Sequence, residues 1–268
     1  MFEDAIKDPP LVAPLNHRVF IPIKALSERC HGKNWATLHG KPLWRIAVCR
    51  ALSIFRQVVV DTDDLNILDG EAYRPWVRQL KDLDEPATWD ERLIIIPRHP
   101  SLLRPDTNGN DLYKYWDDIA PPEDPTVNQL YCTAPFVHSS EIRWALYRLS
   151  ECQGDLSAAT PGNTMHDFTW TWDGYQMKRQ YEGLPRSQDI NGRLIESTAF
   201  YTTMRNQDHR TPDLKTAVLD VNSSISGLDI NTEQDLYIAQ AVASRMINDG
   251  DDSGNGDFSD FRRAWLAA

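Results

Sequence analysis

Between Ile21 and Asn34 the chain reads Ile21-Pro22-Ile23-Lys24-Ala25-Leu26-Ser27-Glu28-Arg29-Cys30-His31-Gly32-Lys33-Asn34, and three cations, Lys24, Arg29 and Lys33, fall within ten residues. The run from Arg18 to Ile23 is apolar and rich in β-branched residues, so these cations leave the C-terminal end of an expected strand. A loop in that position can wrap a polyphosphate, with backbone N–H groups and cationic side chains sharing its charge. A solvated basic loop is the plain alternative. No GxxxxGK(S/T) pattern is present, so the P-loop is not the explanation.

Such side chains need rigid elements to hold them. A helix is expected from about Lys41 to Phe55, with Leu43, Ile46, Ala47, Ala51, Ile54 and Phe55 near one face and Pro42 in its first turn, where a missing N–H costs nothing. Strand-like runs recur at Gln57 to Val60, at Leu93 to Ile96 and around Leu130 to Thr133. Helices are expected from about Glu141 to Ser150, capped by Ser139 or Ser140, and from about Glu233 to Met246, entered through a capping box of Thr232 and Asp235. Strands alternating with helices predict an α/β three-layer fold with a mostly parallel sheet, whose ligands sit beyond the strand C-termini. One domain is expected over 1–248. Its aperiodic insertions at about 106–125 and 158–193 would serve function or an interface. An acidic, Gly-rich linker and a short helix follow over 249–268.

Composition narrows the function. Of 268 residues, 28 are Lys or Arg and 39 are Asp or Glu, a formal charge of -11 that argues against nucleic acid as a partner. No apolar run approaches the ~20 residues that span a bilayer. The first residues lack the basic and apolar regions of a secretory leader, so a cytoplasmic location without a membrane partner is expected. Four cysteines, Cys30, Cys49, Cys132 and Cys152, have no CxxC spacing and are expected as reduced thiols. Seven scattered histidines and no GxSxG leave a nucleophilic triad without support. Trp170 and Trp172 beside Phe168 read as one packed face of a strand, with ligand stacking the alternative. Residues 249–260 place oxygen side chains at calcium-loop spacing with Gly254 at position six. An acidic linker is preferred there to a Ca2+ site.

The first motif has a closer parallel. Residues 21–43, IPIKALSERCHGKNWATLHGKPL, resemble without a gap the IPARGGSKxIPxKNxxxLxGKPL motif of the acylneuraminate cytidylyltransferase family, the CMP-sialic acid synthetases and their relatives. The resemblance implies that Lys24 and Lys33 stand at phosphate-binding positions, that Arg29 adds a third cation, and that Ser27 and Asn34 contact the nucleotide. Ala25 and Leu26 replace two glycines and Glu28 replaces a Lys. Val58 to Asp63 resembles the family's VVVSTD strand end. Arg98 through Asp106-Thr107-Asn108 resembles its RPxxLxxDT loop, with Arg98 or His99 as the base-binding residue and Asp106 beside the nucleotide. Leu130 to Pro135 resembles LQPTSP, with Tyr131 where a substrate-contacting Gln is usual. Arg186-Ser187-Gln188-Asp189-Ile190 is similar to RxQDL, which implies Arg186 and Gln188 near the sugar acid; a bidentate guanidinium suits a carboxylate. Gly227 to Leu236 resembles IDIDTEEDL, in which two carboxylates at i, i+2 face one side and hold Mg2+. Asp229 matches the first, and Asn231 replaces the second.

These matches run in family order from about Arg18 to Val242. They imply a nucleotide-diphospho-sugar transferase-like (Rossmann-like) fold, a homodimer whose long loops cross between subunits, Mg2+, and transfer of CMP from CTP to an acidic, sialic-acid-like sugar. Two alternatives stay open. One is a nucleotidyltransferase of the same fold with another acceptor or base; the other is a non-catalytic nucleotide- or sugar-binding relative.

Overall fold

The strand expected at 18–23 runs Leu15–Ile23 (β1) in the computed structural model, and its side chains alternate between two apolar layers. Val19, Ile21 and Ile23 are fully buried in the larger core cluster, while Phe20 lies in a second cluster on the opposite face. That is the period-two pattern of a strand covered on both sides. The structure describes residues 15–27, 30–68, 92–152, 155–207, 215–220, 225–248 and 256–268.

In chain order the remaining strands are β2 (Thr37–Leu38), β3 (Lys41–Pro42), β4 (Phe55–Thr62), β5 (Leu93–Pro97), β6 (Thr126–Leu130), β7 (Ala158–Met165), β8 (Trp170–Trp172), β9 (Met177–Arg179), β10 (Arg193–Glu196), β11 (Phe200–Met204) and β12 (Thr216–Asp220). The main sheet has the order β10-β7-β11-β6-β1-β4-β5, with β12 paired to β7. β1 is parallel to β4 and β6, β4 to β5, and β7 to β12. β11 is antiparallel to both β6 and β7, and β10 to β7. The α/β layered reading therefore holds, with antiparallel strands confined to one half. The expected strand at 130–133 lies upstream, at β6. Its Asn128 and Gln129 are buried polar residues, so hydropathy alone misses it.

Helices cover both faces. Leu43–Ile54 starts two residues later than expected, with Pro42 as its extended N-cap (φ -63°, ψ 141°) rather than in its first turn, and buries Ile46, Ala47, Ala51 and Ile54 against the sheet. Ser139–Glu151 is capped by His138 rather than by a serine: its Nδ1 accepts from the Ser140 N–H, and Glu141 accepts from the His138 N–H at 3.1 Å. Glu233–Asn248 starts from the expected box, in which Asp235 Oδ2 accepts from the Thr232 N–H at 2.8 Å. Gly109–Ile119 lies within the region expected to be aperiodic. Asn108 caps it, and Leu112, Tyr113 and Trp116 are buried, with Trp116 stacked on Phe20 at 4.8 Å. Asp and Asn at six of positions 106–118 dilute its apolar face.

The Gly256–Ala267 helix packs on Leu43–Ile54. Phe261 lies 5.0 Å from Phe136, and Asp260 accepts from the Ser139 N–H and pairs with buried Arg50 at 3.4 Å. The rest of the 249–260 acidic run, residues 249–255, lies outside the described residues. All four cysteines are free thiols. Among the described residues, no helix is long and apolar enough to cross a membrane.

The second expected insertion, 158–193, begins too early: Ala158–Met165 is β7 of the main sheet, and the residues after it form an arm in which β8 and β9 pair as their own two-stranded sheet. The packed-face reading of its aromatics is not what the structure shows: Phe168, Trp170 and Trp172 are exposed at 47%, 45% and 62%. Too few strands lie in the arm to bury both of its faces.

Candidate active site

The ends of β1, β5 and β6 open onto a cleft of about 740 Å3, lined by Lys24, Lys33, Asn34, Arg98, Tyr131, Asp229 and Asn231 among others. Residues separated by more than 200 positions thus meet where a doubly wound sheet binds its ligands.

The first loop is held by its own side chains. Asn34 is buried; its Nδ2 donates to the Lys24 carbonyl at 2.7 Å, and its Oδ1 accepts from Cys132 Sγ at 3.1 Å. Asp63 accepts from the Ala25 N–H at 2.8 Å, which anchors the loop to the end of β4. Gly32 carries φ +65°, a left-handed conformation that lets the loop turn into Lys33–Trp35. Lys33 Nζ donates to the Ile230 carbonyl at 3.0 Å and so ties the loop to the segment between Asp229 and Asn231. Ile230 is itself fixed, its N–H donating to the Thr133 carbonyl at 2.8 Å.

Arg98 sits on a buried ion pair. Its Nε donates to Asp61 Oδ1 at 2.8 Å and its Nη2 to the Asp61 carbonyl at 3.0 Å, while Trp116 Nε1 donates to Asp61 Oδ2 at 2.9 Å. His99 is exposed and stacks on Tyr115, so of the two register choices Arg98 is the one that faces the cleft.

Asn231 Nδ2 donates to Asp229 Oδ2 at 2.7 Å, whereas Asp229 Oδ1 is buried without a hydrogen-bond partner. A buried, unpaired carboxylate oxygen fits a hard cation such as Mg2+, which needs only one or two protein oxygens when phosphates and waters complete its shell. Among the described residues, no group of three His, Cys, Asp or Glu side chains could hold a metal. Burial pushes the Tyr131 phenol and the Cys132 thiol each up to about 12, so both remain neutral in the cleft.

The other expected site residues lie elsewhere. Ser27 accepts from the Cys30 N–H, and Asp106 is exposed beside Arg104 at 3.5 Å; neither lines the cleft. Arg186 is exposed on the arm in a two-point pair with Asp189, at 2.7 and 2.9 Å, and Gln188 is exposed next to it. Glu28 and Arg29 lie outside the described residues.

The cleft also includes residues that the motifs did not mark: Gln129, Glu196, Thr198, Tyr201 and Thr216. Gln129 stands two residues before Tyr131 on the same side of the strand, a signal available from alternation. The others come from the antiparallel half of the sheet, and their placement depends on strand order.

These elements define an α/β nucleotide-diphospho-sugar transferase-like fold. It is similar to the solved structure of CMP:2-keto-3-deoxy-manno-octonic acid synthetase complexed with CTP: TM-score 0.55, 16% identity, covering 86% of this chain and 99% of that one. It is also similar to 4-diphosphocytidyl-2C-methyl-D-erythritol synthase from Anaerococcus prevotii DSM 20548: TM-score 0.54, 11% identity, covering 86% and 97%. No family model and no curated protein sequence matches the chain.

Proposed function

We propose that the protein is a cytidylyltransferase that transfers CMP from CTP to an acidic, nonulosonic sugar and releases pyrophosphate. The observation that carries this reading is the convergence of Lys24, Lys33, Arg98, Asp229 and Asn231, drawn from three separate motifs, on one cleft at the strand ends. The similar folds belong to a synthetase solved with CTP and a diphosphocytidyl synthase, which supports CTP as the nucleotide.

In this reaction an acceptor hydroxyl attacks the α-phosphorus in line. The new O–P bond forms as the bond to the β-phosphate oxygen breaks, pyrophosphate leaves with that electron pair, and the hydroxyl proton is lost to water. Lys24 and Lys33, with Arg29 from the same loop, would neutralise the triphosphate and the leaving group. Asn34 would keep the loop in place and Arg98 would meet the nucleotide, while Tyr131 would shape the wall toward the acceptor. Asp229, with Asn231 beside it, would hold Mg2+, whose charge offsets that of the phosphates.

We also propose a cytoplasmic homodimer in which the arm packs against a second copy. Exposed Trp170, Trp172, Tyr175 and Met177 support this, since a patch of that kind marks an interaction surface. Arg186 and Gln188, which do not line their own cleft, would then meet the acidic group of an acceptor bound by the second copy. Pyrophosphate release with Mg2+, each of the four NTPs and a panel of nonulosonic acids plus 3-deoxy-octulosonate tests the reading; release that depends on CTP and on one acid is expected.

A further inference from the structure

Sheet order divides the cleft into two chemically different ends. β1 and β5 lie on one side of β6 and lead into Lys24, Lys33 and Arg98. β7, β11, β10 and β12 lie on the other side and bring Ala158, Glu196, Thr198, Tyr201 and Thr216. No cation lines this second end among the described residues. Its one charged group is Glu196, whose Oε2 accepts from the Tyr201 hydroxyl at 3.5 Å, and the Tyr201 ring meets Tyr131 edge-on at 6.4 Å.

Backbone packing sets where Glu196 leaves the sheet, and its side chain is exposed to the cleft. Glu196 pairs with Gly162 on β7, and a Cβ on Gly162 would come within 2.7 Å of the Ile195 carbonyl and 2.4 Å of Val218 Cγ1. Only a glycine lets β10 and β12 approach β7 this closely. Burial first, and then the adjacent Glu196 carboxylate, raise the Tyr201 phenol, so that it stays protonated and able to donate.

Building on the cytidylyltransferase reading, we propose that Glu196 is an acceptor-specificity residue that takes hydrogen bonds from hydroxyl or amine groups of the acceptor. A carboxylate can only accept, and a second carboxylate placed against it would be repelled. The acceptor therefore presents its donor-bearing portion to Glu196 and Thr198, and its acidic group points away, toward cations. The phosphate end is served by residues on the other side of β6, so Glu196 acts on acceptor binding and not on CTP.

The test compares wild-type protein, Glu196→Gln, Glu196→Asp and Tyr201→Phe in pyrophosphate release, using whichever acid of the panel the wild type accepts and its monodeoxy analogues. Glu196→Gln is expected to raise the acceptor KM about ten- to a hundredfold, the range for one hydrogen bond to a charged group, with the KM for CTP unchanged. Glu196→Asp should recover part of the loss, and Tyr201→Phe should show a smaller rise. One monodeoxy analogue that the wild type disfavours should be used equally by Glu196→Gln. An unchanged acceptor KM in Glu196→Gln, or a parallel rise in the KM for CTP, overturns the assignment while leaving the transferase reading intact. A wild-type protein that releases no pyrophosphate with any nucleotide and acid overturns the transferase reading, and the assignment falls with it.

Discussion

Asn231 donates its side-chain amide to Asp229 Oδ2 at 2.7 Å and leaves the other oxygen of that carboxylate buried and unpaired. The amide orients the acid without neutralising it, so the Asp229 charge stays available to a cation. Replacing Asn231 by Asp adds a charge to the site and removes that orienting bond.

Asn231→Asp is therefore expected to lower the Mg2+ concentration for half-maximal activity by about tenfold, because cation affinity follows ligand charge. Without Mg2+ the two carboxylates repel, so the variant should melt below the wild type and recover on adding the ion. Thermal denaturation across a Mg2+ series checks both effects. An unchanged Mg2+ dependence would remove Asn231 from the metal site.

Lys33 bridges the first loop to the Ile230 carbonyl and points its ammonium at the cleft. Lys33→Ala is expected to lower kcat by about two to three orders of magnitude, the loss typical of one transition-state charge stabiliser. Steady-state kinetics on folded variant would show this, and wild-type turnover would remove Lys33 from the mechanism.

Asp61 is fully buried and neutralises Arg98. Asp61→Ala leaves a guanidinium without its counter-charge in the core, so a loss of about 3–5 kcal/mol is expected from urea unfolding. A loss below about 1 kcal/mol, the level of an exposed pair, would mean that water reaches Arg98.

Tyr131 is raised by burial to about 12 in the folded chain, against 10.0 for the ordinary phenol. A raised folded value stabilises the protein below the unfolded value, and that stability is lost as pH climbs from about 10 to about 12. Tyr131→Phe should flatten this alkaline fall and remove one late-ionising phenol from the ultraviolet titration. Identical alkaline curves for variant and wild type would contradict the burial of that hydroxyl.

Much of this arrangement is legible in the sequence, and the part that is not has a physical reason. β1, β4 and β5 follow from β-branched runs, and the helices at 43–54 and 233–248 follow from apolar spacing and caps. Lys24, Lys33, Arg98, Tyr131, Asp229 and Asn231 lie in the cleft as their motif positions suggest. The Gly109–Ile119 helix is hidden because its buried face is three aromatic or aliphatic residues among acids and amides. Glu196 and Tyr201 reach the site through antiparallel pairing of β10 with β7 and of β11 with β6 and β7, a tertiary fact with no local pattern. His138 takes the cap position from neighbouring serines because its ring nitrogen reaches the Ser140 N–H.

The central claim is most directly tested by pyrophosphate release from purified protein with Mg2+, each NTP in turn and the panel of nonulosonic acids with 3-deoxy-octulosonate, alongside Asp229→Ala. The account predicts release with CTP and one acid and its loss in Asp229→Ala. Release that persists in Asp229→Ala, or CTP binding with no release across the panel, would contradict it.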